Sequence, residues 1–151
     1  MWKKKKKPEE KAHLEIMDLS IHDVRKAIHT YAERKPNEVP LSVIINHDLT
    51  IDYHLLSPYI KGIPKKTYYM SRETYELFEE EDYELAKEMD EVQQAVDLYI
   101  QQTGEPPTID MDPYKRISYH KLERLHLLAQ RPQREFYLTN EEFMITYKKP
   151  Q

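Results

Sequence analysis

The 151-residue sequence contains no cysteine and only two glycines, Gly62 and Gly104. Without cysteine it has no disulfide, thiolate zinc site, iron–sulfur cluster or cysteine nucleophile. The shortage of glycine excludes the phosphate loop of nucleotide hydrolases and the dinucleotide-binding turn, because both need several glycines to bring backbone amides close to phosphate. The absence of cysteine fits a reducing compartment, so we expect a cytoplasmic location.

Long apolar runs and catalytic motifs are also missing. Apolar runs such as Val43–Ile45 are far shorter than the ~20 residues that a membrane-spanning helix needs. The basic start, Met1–Lys7, lacks the following apolar stretch that a signal peptide requires. Neither a G-x-S-x-G elbow nor an H-E-x-x-H pair occurs. The sequence therefore predicts a protein that is not an enzyme and binds no cofactor.

The charge of the chain is unevenly distributed. Hydrophobic residues make up 39% and charged residues 33% of the sequence, which is typical of a folded domain with a charge-rich surface. Residues 1–11 carry six lysines and two glutamates, whereas the remaining residues carry 17 basic and 25 acidic side chains. An acidic body disfavours a broad phosphate-binding face, so we predict no specific nucleic-acid partner.

Three blocks of sequence recur in the same order at offsets of 66 to 68 residues, which indicates a duplication. They are residues 23–31 with 91–99, 51–56 with 117–122, and 68–75 with 136–143. We therefore predict an α+β fold with two tandem helix-strand-helix-strand units of about 65 residues that form one pseudo-symmetric domain. The predicted organisation is a disordered basic tail at 1–11, then a single globular domain at 12–151 with repeat one at about 20–78, an acidic helical junction at 79–90 and repeat two at about 88–146.

The elements of each unit follow from residue spacing. Ser20 and Asp23 form a capping-box pattern before a first helix, and Thr103-Gly104 ends a second one. Ser71 has the form of a cap for a helix that begins at Arg72. β-Branched and aromatic content predicts strands at residues 41–45, 67–70 and 135–138, and a poorer one at 108–111. Residues 141–148 are compatible with either a helix or a strand.

Parts of the second half resemble a known group of sequences. Residues 95–106, 117–123 and 136–143 are similar to an uncharacterised family from Bacillus-type Gram-positive bacteria. The resemblance implies a bacterial cytoplasmic origin. Because that family has no assigned activity, it assigns no role to any residue.

Two clusters are candidate sites. His47, Asp48, Asp52 and His54 place four potential metal ligands within eight residues. The alternative is a polar turn, where these residue types are common. The pair Tyr53-His54 recurs as Tyr119-His120, so the four rings could form a ligand pocket at the junction of the copies. The alternative is that each pair only packs at the start of a short helix.

Three further features point to partners. Residues 79–91 hold eight acidic side chains and one lysine, which is typical of a solvated helix face or of a dock for a basic partner or for the lysine tail of this chain. Twelve tyrosines against three phenylalanines favour a protein-binding surface. The tail could contact an anionic membrane or, without specificity, nucleic acid; the alternative is a disordered solubilising end. Its contact residues would be Trp2, Lys3, Lys4, Lys5, Lys6 and Lys7.

The sequence thus favours a non-enzymatic interaction or regulatory module of the bacterial cytoplasm, most simply one that binds another protein. Two alternatives remain open. The first is a metal-binding or small-ligand-binding protein or enzyme that uses the histidine cluster. The second is a protein that contacts a membrane or nucleic acid through its tail.

Overall fold

The computed structural model describes residues 13–150, so the predicted tail contact at Trp2 and Lys3–Lys7 lies outside the described residues. Short strands and helices together make an α+β fold, as the sequence predicts. The chain forms two compact units, and the boundary lies between Tyr69 and Met70. Unit one ends at this boundary and unit two begins there. Repeat one, predicted to end at about residue 78, therefore extends past this boundary into unit two.

Unit one is built around the first helix, α1. Its elements in order are β1 (Ile16–Met17), α1 (Ile21–Arg34), a 3₁₀ helix (Leu41–Ile44), β2 (Ile63–Pro64) and β3 (Tyr68–Met70), whose last residue belongs to unit two. The predicted capping box is confirmed: the Asp23 amide donates to Ser20 Oγ at 3.2 Å, and the Ser20 amide donates to Asp23 Oδ2 at 2.8 Å. These bonds satisfy two amides that the first helical turn leaves without partners.

A parallel strand pair closes unit one. In this pair Ile16 of β1 lies opposite Ile63 of β2. A side chain at the neighbouring Gly62 would overlap the carbonyl oxygen of Glu15, so the close approach of these two backbones requires glycine here.

The predicted strand at residues 41–45 is wrong over most of its length. The Val43 amide donates to the Pro40 carbonyl at 3.2 Å, and the Ile45 amide donates to the Ser42 carbonyl at 3.0 Å. These local bonds form a 3₁₀ helix. Only Ile45 makes a β-bridge, with Ile51. The β-branched side chains that suggested a strand instead supply a buried pair, Ile44 and Ile45.

Unit two is organised around the long helix α2. Its elements are β4 (Leu77–Glu79), a 3₁₀ helix (Glu80–Asp82), α2 (Tyr83–Thr103), α3 (Tyr119–Arg124), β5 (Tyr137–Leu138) and β6 (Ile145–Thr146). The predicted stop of α2 is confirmed, because Gly104 adopts φ +80° and its amide donates to the Ile100 carbonyl. Strand β5 pairs antiparallel with β6, so residues 141–148 contain a strand.

A helix beginning at Arg72 is not formed. The Ser71 hydroxyl does accept the Thr74 amide at 3.0 Å, as a cap would, but residues 72–74 form a turn. The Asp90 carboxylate holds this turn, because it accepts the amides of Arg72 and Glu73. This contact comes from α2, so local sequence could not reveal it.

Similar features occur in the two units at offsets of 63 to 68 residues. Both long helices bury three apolar residues at matching positions: Val24, Ala27 and Ile28 in α1, and Val92, Ala95 and Val96 in α2. Matching β-bridges follow each helix: Ile45 with Ile51 and Thr50 with Tyr69, then Thr108 with Ile117 and Arg116 with Tyr137. The units also differ, since residues 53–59 form turns where α3 is helical. The duplication and the single pseudo-symmetric domain stay predictions.

Candidate functional site

The two carboxylates of the predicted metal cluster, Asp48 and Asp52, accept hydrogen bonds within local backbone turns. Asp48 Oδ1 accepts the amide and the hydroxyl of Thr50, and these hydrogen bonds lower the pKa of Asp48. Asp52 Oδ1 accepts the His54 amide at 3.0 Å and that of Leu55 at 3.3 Å. His47 and His54 are exposed. Within residues 13–150, no three side chains of metal-binding type are grouped so as to hold an ion.

The two Tyr-His pairs share one pattern of exposure. Tyr53 and Tyr119 are half-buried, and burial raises the pKa of both phenols. The adjacent His54 and His120 are exposed. Each pair therefore consists of a half-buried phenol beside an exposed imidazole. The predicted pocket formed by the four rings stays a prediction.

The two phenols differ in their hydrogen bonds. The Tyr119 hydroxyl donates to the Arg134 carbonyl at 2.6 Å. The Tyr53 hydroxyl is buried and, among the described residues, has no hydrogen-bond partner. An unpaired buried hydroxyl is destabilising and a paired one is stabilising. Removing the hydroxyl oxygen should therefore change the stability of the protein differently at Tyr53 and at Tyr119.

We expect Tyr53→Phe to leave the free energy of unfolding unchanged or raise it slightly, whereas Tyr119→Phe should lower it by about 0.5–1.5 kcal/mol. Urea unfolding at neutral pH measures both values. His54→Gln and His120→Gln serve as controls, and since both histidines are exposed each should change stability by no more than about 0.5 kcal/mol. Equal losses for the two phenylalanine variants would contradict this assignment of the hydroxyls.

Tyr119 lies beside a charged groove within unit two. This α2 groove has a volume of about 430 Å³ and lies between α2 and the segment 130–134. One wall consists of Glu84, Lys87, Glu88 and Glu91, and the other of Gln130, Arg131, Pro132, Gln133 and Arg134. The α2 groove is a candidate site because it combines a defined shape with two carboxylates, Glu84 and Glu91, that form no ion pair among the described residues.

The outer wall of the α2 groove is held by polar contacts. Arg131 binds the Glu123 carboxylate with two hydrogen bonds, at 2.6 and 3.1 Å, and these bonds lower the pKa of Glu123. The Arg131 guanidinium also lies 5.8 Å from the centre of the Tyr119 ring. Arg134 Nε donates to Glu88 Oε1 at 2.7 Å. Together with the Tyr119 hydroxyl, these contacts fix the outer wall before any ligand binds.

The helical wall keeps two carboxylates available. Glu84 and Glu91 are exposed, and within the described part of the chain neither has an ion pair or hydrogen bond through its carboxylate. Glu88, between them, is only 18% exposed and is used by Arg134. Because positions 84, 88 and 91 are four and three residues apart on one helix, the three carboxylates share a face.

The sequence indicates the helical wall of the α2 groove as a possible binding site but does not indicate the opposite wall. The acidic run at residues 79–91 was identified as a possible dock, and Tyr119 as a site residue. The segment 130–134 was not singled out. Its two arginines around Pro132 were the available signal, but nothing in the sequence connects them to Glu88.

Most of the twelve tyrosines are half-buried. Of the twelve, nine are half-buried, Tyr68 and Tyr137 are buried, and Tyr75 is exposed. Half-buried rings suit contacts that are partly wet. The tyrosine-rich binding surface stays a prediction.

Comparisons with known proteins give a family and no activity. No helix within residues 13–150 has the length and apolar character needed to cross a membrane. No curated protein matches the chain, and no solved structure does. A family model described as "Protein of unknown function (DUF3939)" matches residues 14–147.

Proposed function

We propose that this chain, which belongs to the DUF3939 family of unknown function, is a non-enzymatic interaction module that binds a basic segment of another protein in the α2 groove. One observation carries the proposal: in the α2 groove, two carboxylates of α2 without an ion pair among the described residues face a wall that hydrogen bonds hold in place. The expected ligand is an extended segment with two or more lysines or arginines.

The charges of the α2 groove favour a cationic ligand. Lysine or arginine side chains of the ligand would reach Glu84 and Glu91, neither of which forms an ion pair among the described residues. Lys87, on the same wall, forms no ion pair with either carboxylate; its ammonium lies 5.7 Å from the centre of the Tyr83 ring. The amides of Gln130 and Gln133 offer both donors and acceptors to the backbone of a bound segment.

The fixed outer wall makes a low-affinity electrostatic contact more selective. An isolated exposed ion pair contributes only about 0–1 kcal/mol, so two free carboxylates alone would attract any cation weakly. The segment 130–134 is already ordered by Glu88, Glu123 and Tyr119. Binding therefore costs little ordering of the protein, and the groove shape restricts which basic segments fit.

The test uses a fluorescent pentalysine peptide, titrated with the full chain and followed by anisotropy. We expect Glu84→Gln/Glu91→Gln to weaken binding by about tenfold, since the variant removes both available carboxylates. The matched control is Glu80→Gln/Glu81→Gln, which removes the same charge from two exposed residues outside the groove. This control should bind within about twofold of the parent, and all affinities should fall as salt rises.

Two results would overturn the proposal. An equal loss in both variants would mean that the peptide responds only to net charge. A parent protein that shows no saturable binding would mean that the α2 groove does not hold basic segments.

A further inference from the structure

Among residues 13–150, a second groove in unit two is lined by three lysines and by no acidic side chain. This lysine groove has a volume of about 430 Å³ and lies beside β5 and β6. Its polar lining consists of Tyr114, Lys115, Thr139, Asn140, Thr146, Lys148 and Lys149. Unit two as a whole carries 18 acidic and 10 basic side chains. A concave region with three lysines and, within the described part of the chain, no acidic side chain therefore stands out in a strongly acidic unit.

Lys115 is held in position by the loop that carries it. The Asp112 carboxylate accepts the amides of Tyr114 and Arg116, both at 3.1 Å. Lys115 itself adopts a left-handed backbone conformation with φ +57°, which is uncommon for lysine. Its ammonium donates to Asn140 Oδ1 at 2.9 Å. The charge is thus fixed at the lysine groove without being neutralised.

Lys148 and Lys149 supply the other positive charges of the lysine groove. Lys149 Nζ lies 4.5 Å from the centre of the Tyr114 ring. Within the described residues none of the three lysines forms an ion pair, whereas Arg116, Lys121, Arg131 and Arg134 all do. Lys148 does lie near Glu76, whose pKa is raised by burial and lowered by that lysine. Lys115 and Lys149 are therefore the two lysines most available to bind an anion.

The remaining lining suits the organic part of a ligand. Pro113, Leu138 and Pro150 give the lysine groove an apolar portion. A neighbouring groove of about 320 Å³ shares Lys115 and Leu138 and adds the partly exposed ring of Phe143. Glu142 lines this neighbouring groove and not the lysine groove, so its repulsion favours an anion in the lysine groove.

We propose that the lysine groove binds a small organic phosphate monoester, with the phosphate among the lysine ammonium groups and the apolar part against Leu138 and Pro113. Lysine binds phosphate as a compact point charge, and the Asn140 side-chain NH₂ group adds a neutral donor. The volume lies within the range of known small-molecule sites.

The test uses phenyl phosphate, with inorganic phosphate and benzyl alcohol as partial ligands, and follows backbone amide signals of the full chain by NMR. We expect saturable shifts at Thr146 and Lys149 with phenyl phosphate, and weaker ones with either partial ligand. Lys115→Gln/Lys149→Gln should weaken phenyl phosphate binding by about tenfold. The control, Lys65→Gln/Lys66→Gln, removes the same charge from two exposed residues of unit one and should bind as the parent does.

The spectra also show whether each variant is folded, so lost binding can be separated from lost structure. Absence of saturable shifts at the lysine groove, or an equal loss in both variants, would overturn the proposal. Binding of benzyl alcohol as tightly as phenyl phosphate would overturn it as well, because the lysines would then play no part.

Discussion

Alanine at Leu122 or at Leu56 is expected to lower the free energy of unfolding by about 2–5 kcal/mol. Each leucine is fully buried, Leu56 in unit one and Leu122 in unit two. Removing a buried leucine side chain loses its transfer free energy and leaves a cavity that the surroundings fill only in part. Urea unfolding gives the overall change, and hydrogen exchange shows which unit loses protection.

The neighbouring leucines provide matched controls. Leu55 is 41% exposed and Leu125 is 38% exposed, so Leu55→Ala and Leu125→Ala remove the same atoms with little cavity formation. We expect each control to lose less than about 1 kcal/mol. If the exposed and buried positions lost equal stability, the core assigned to either unit would be incorrect.

Asp90→Ala is expected to lower the free energy of unfolding by about 2–4 kcal/mol, since each buried donor left without an acceptor costs about 1–3 kcal/mol. The Asp90 carboxylate accepts the Ser71 hydroxyl at 2.6 Å, the Arg72 amide at 3.0 Å and the Glu73 amide at 3.1 Å. Ser71 is fully buried, so water cannot replace the lost acceptor there. Thermal and urea unfolding measure the loss.

The adjacent Glu91 separates this anchoring role from net charge. Glu91→Ala removes the same charge from an exposed residue and should change stability by no more than about 0.5 kcal/mol. Asp90→Asn keeps one acceptor oxygen and should fall between the parent and Asp90→Ala. Similar stabilities for the two alanine variants would show that the turn does not depend on Asp90.

The acidic run illustrates the limit of sequence reasoning at the candidate site. Its composition predicts a solvated helix face, and exposed Glu84 and Glu91 agree with that interpretation. Yet Asp90 anchors the turn that follows Ser71, and Glu88 pairs with Arg134, which is 46 residues away. Composition treats these four acids alike, because their roles depend on what lies opposite each face of α2.

Gln93 shows the same limit within the core. Its side chain is buried and binds the Phe143 carbonyl at 3.0 Å and the Ile145 amide at 2.9 Å, so α2 fixes the start of β6. Residues 141–148 had no settled local preference for helix or strand. Pairing with β5, together with this contact from α2, makes residues 145–146 a strand.

The sequence by itself determined the α+β class, the capped start of α1 and the glycine stop of α2, because capping boxes, helical periodicity and left-handed glycine are local properties of the chain. Tertiary structure alone decided that residues 41–44 form a 3₁₀ helix, that residues 72–74 turn, and that segment 130–134 faces α2. The turn and the facing segment depend on hydrogen bonds and charge pairs between residues far apart in sequence, whereas the 3₁₀ helix has local bonds and buries Ile44 and Ile45. Such pairings form only when the packed backbone brings their donors and acceptors together.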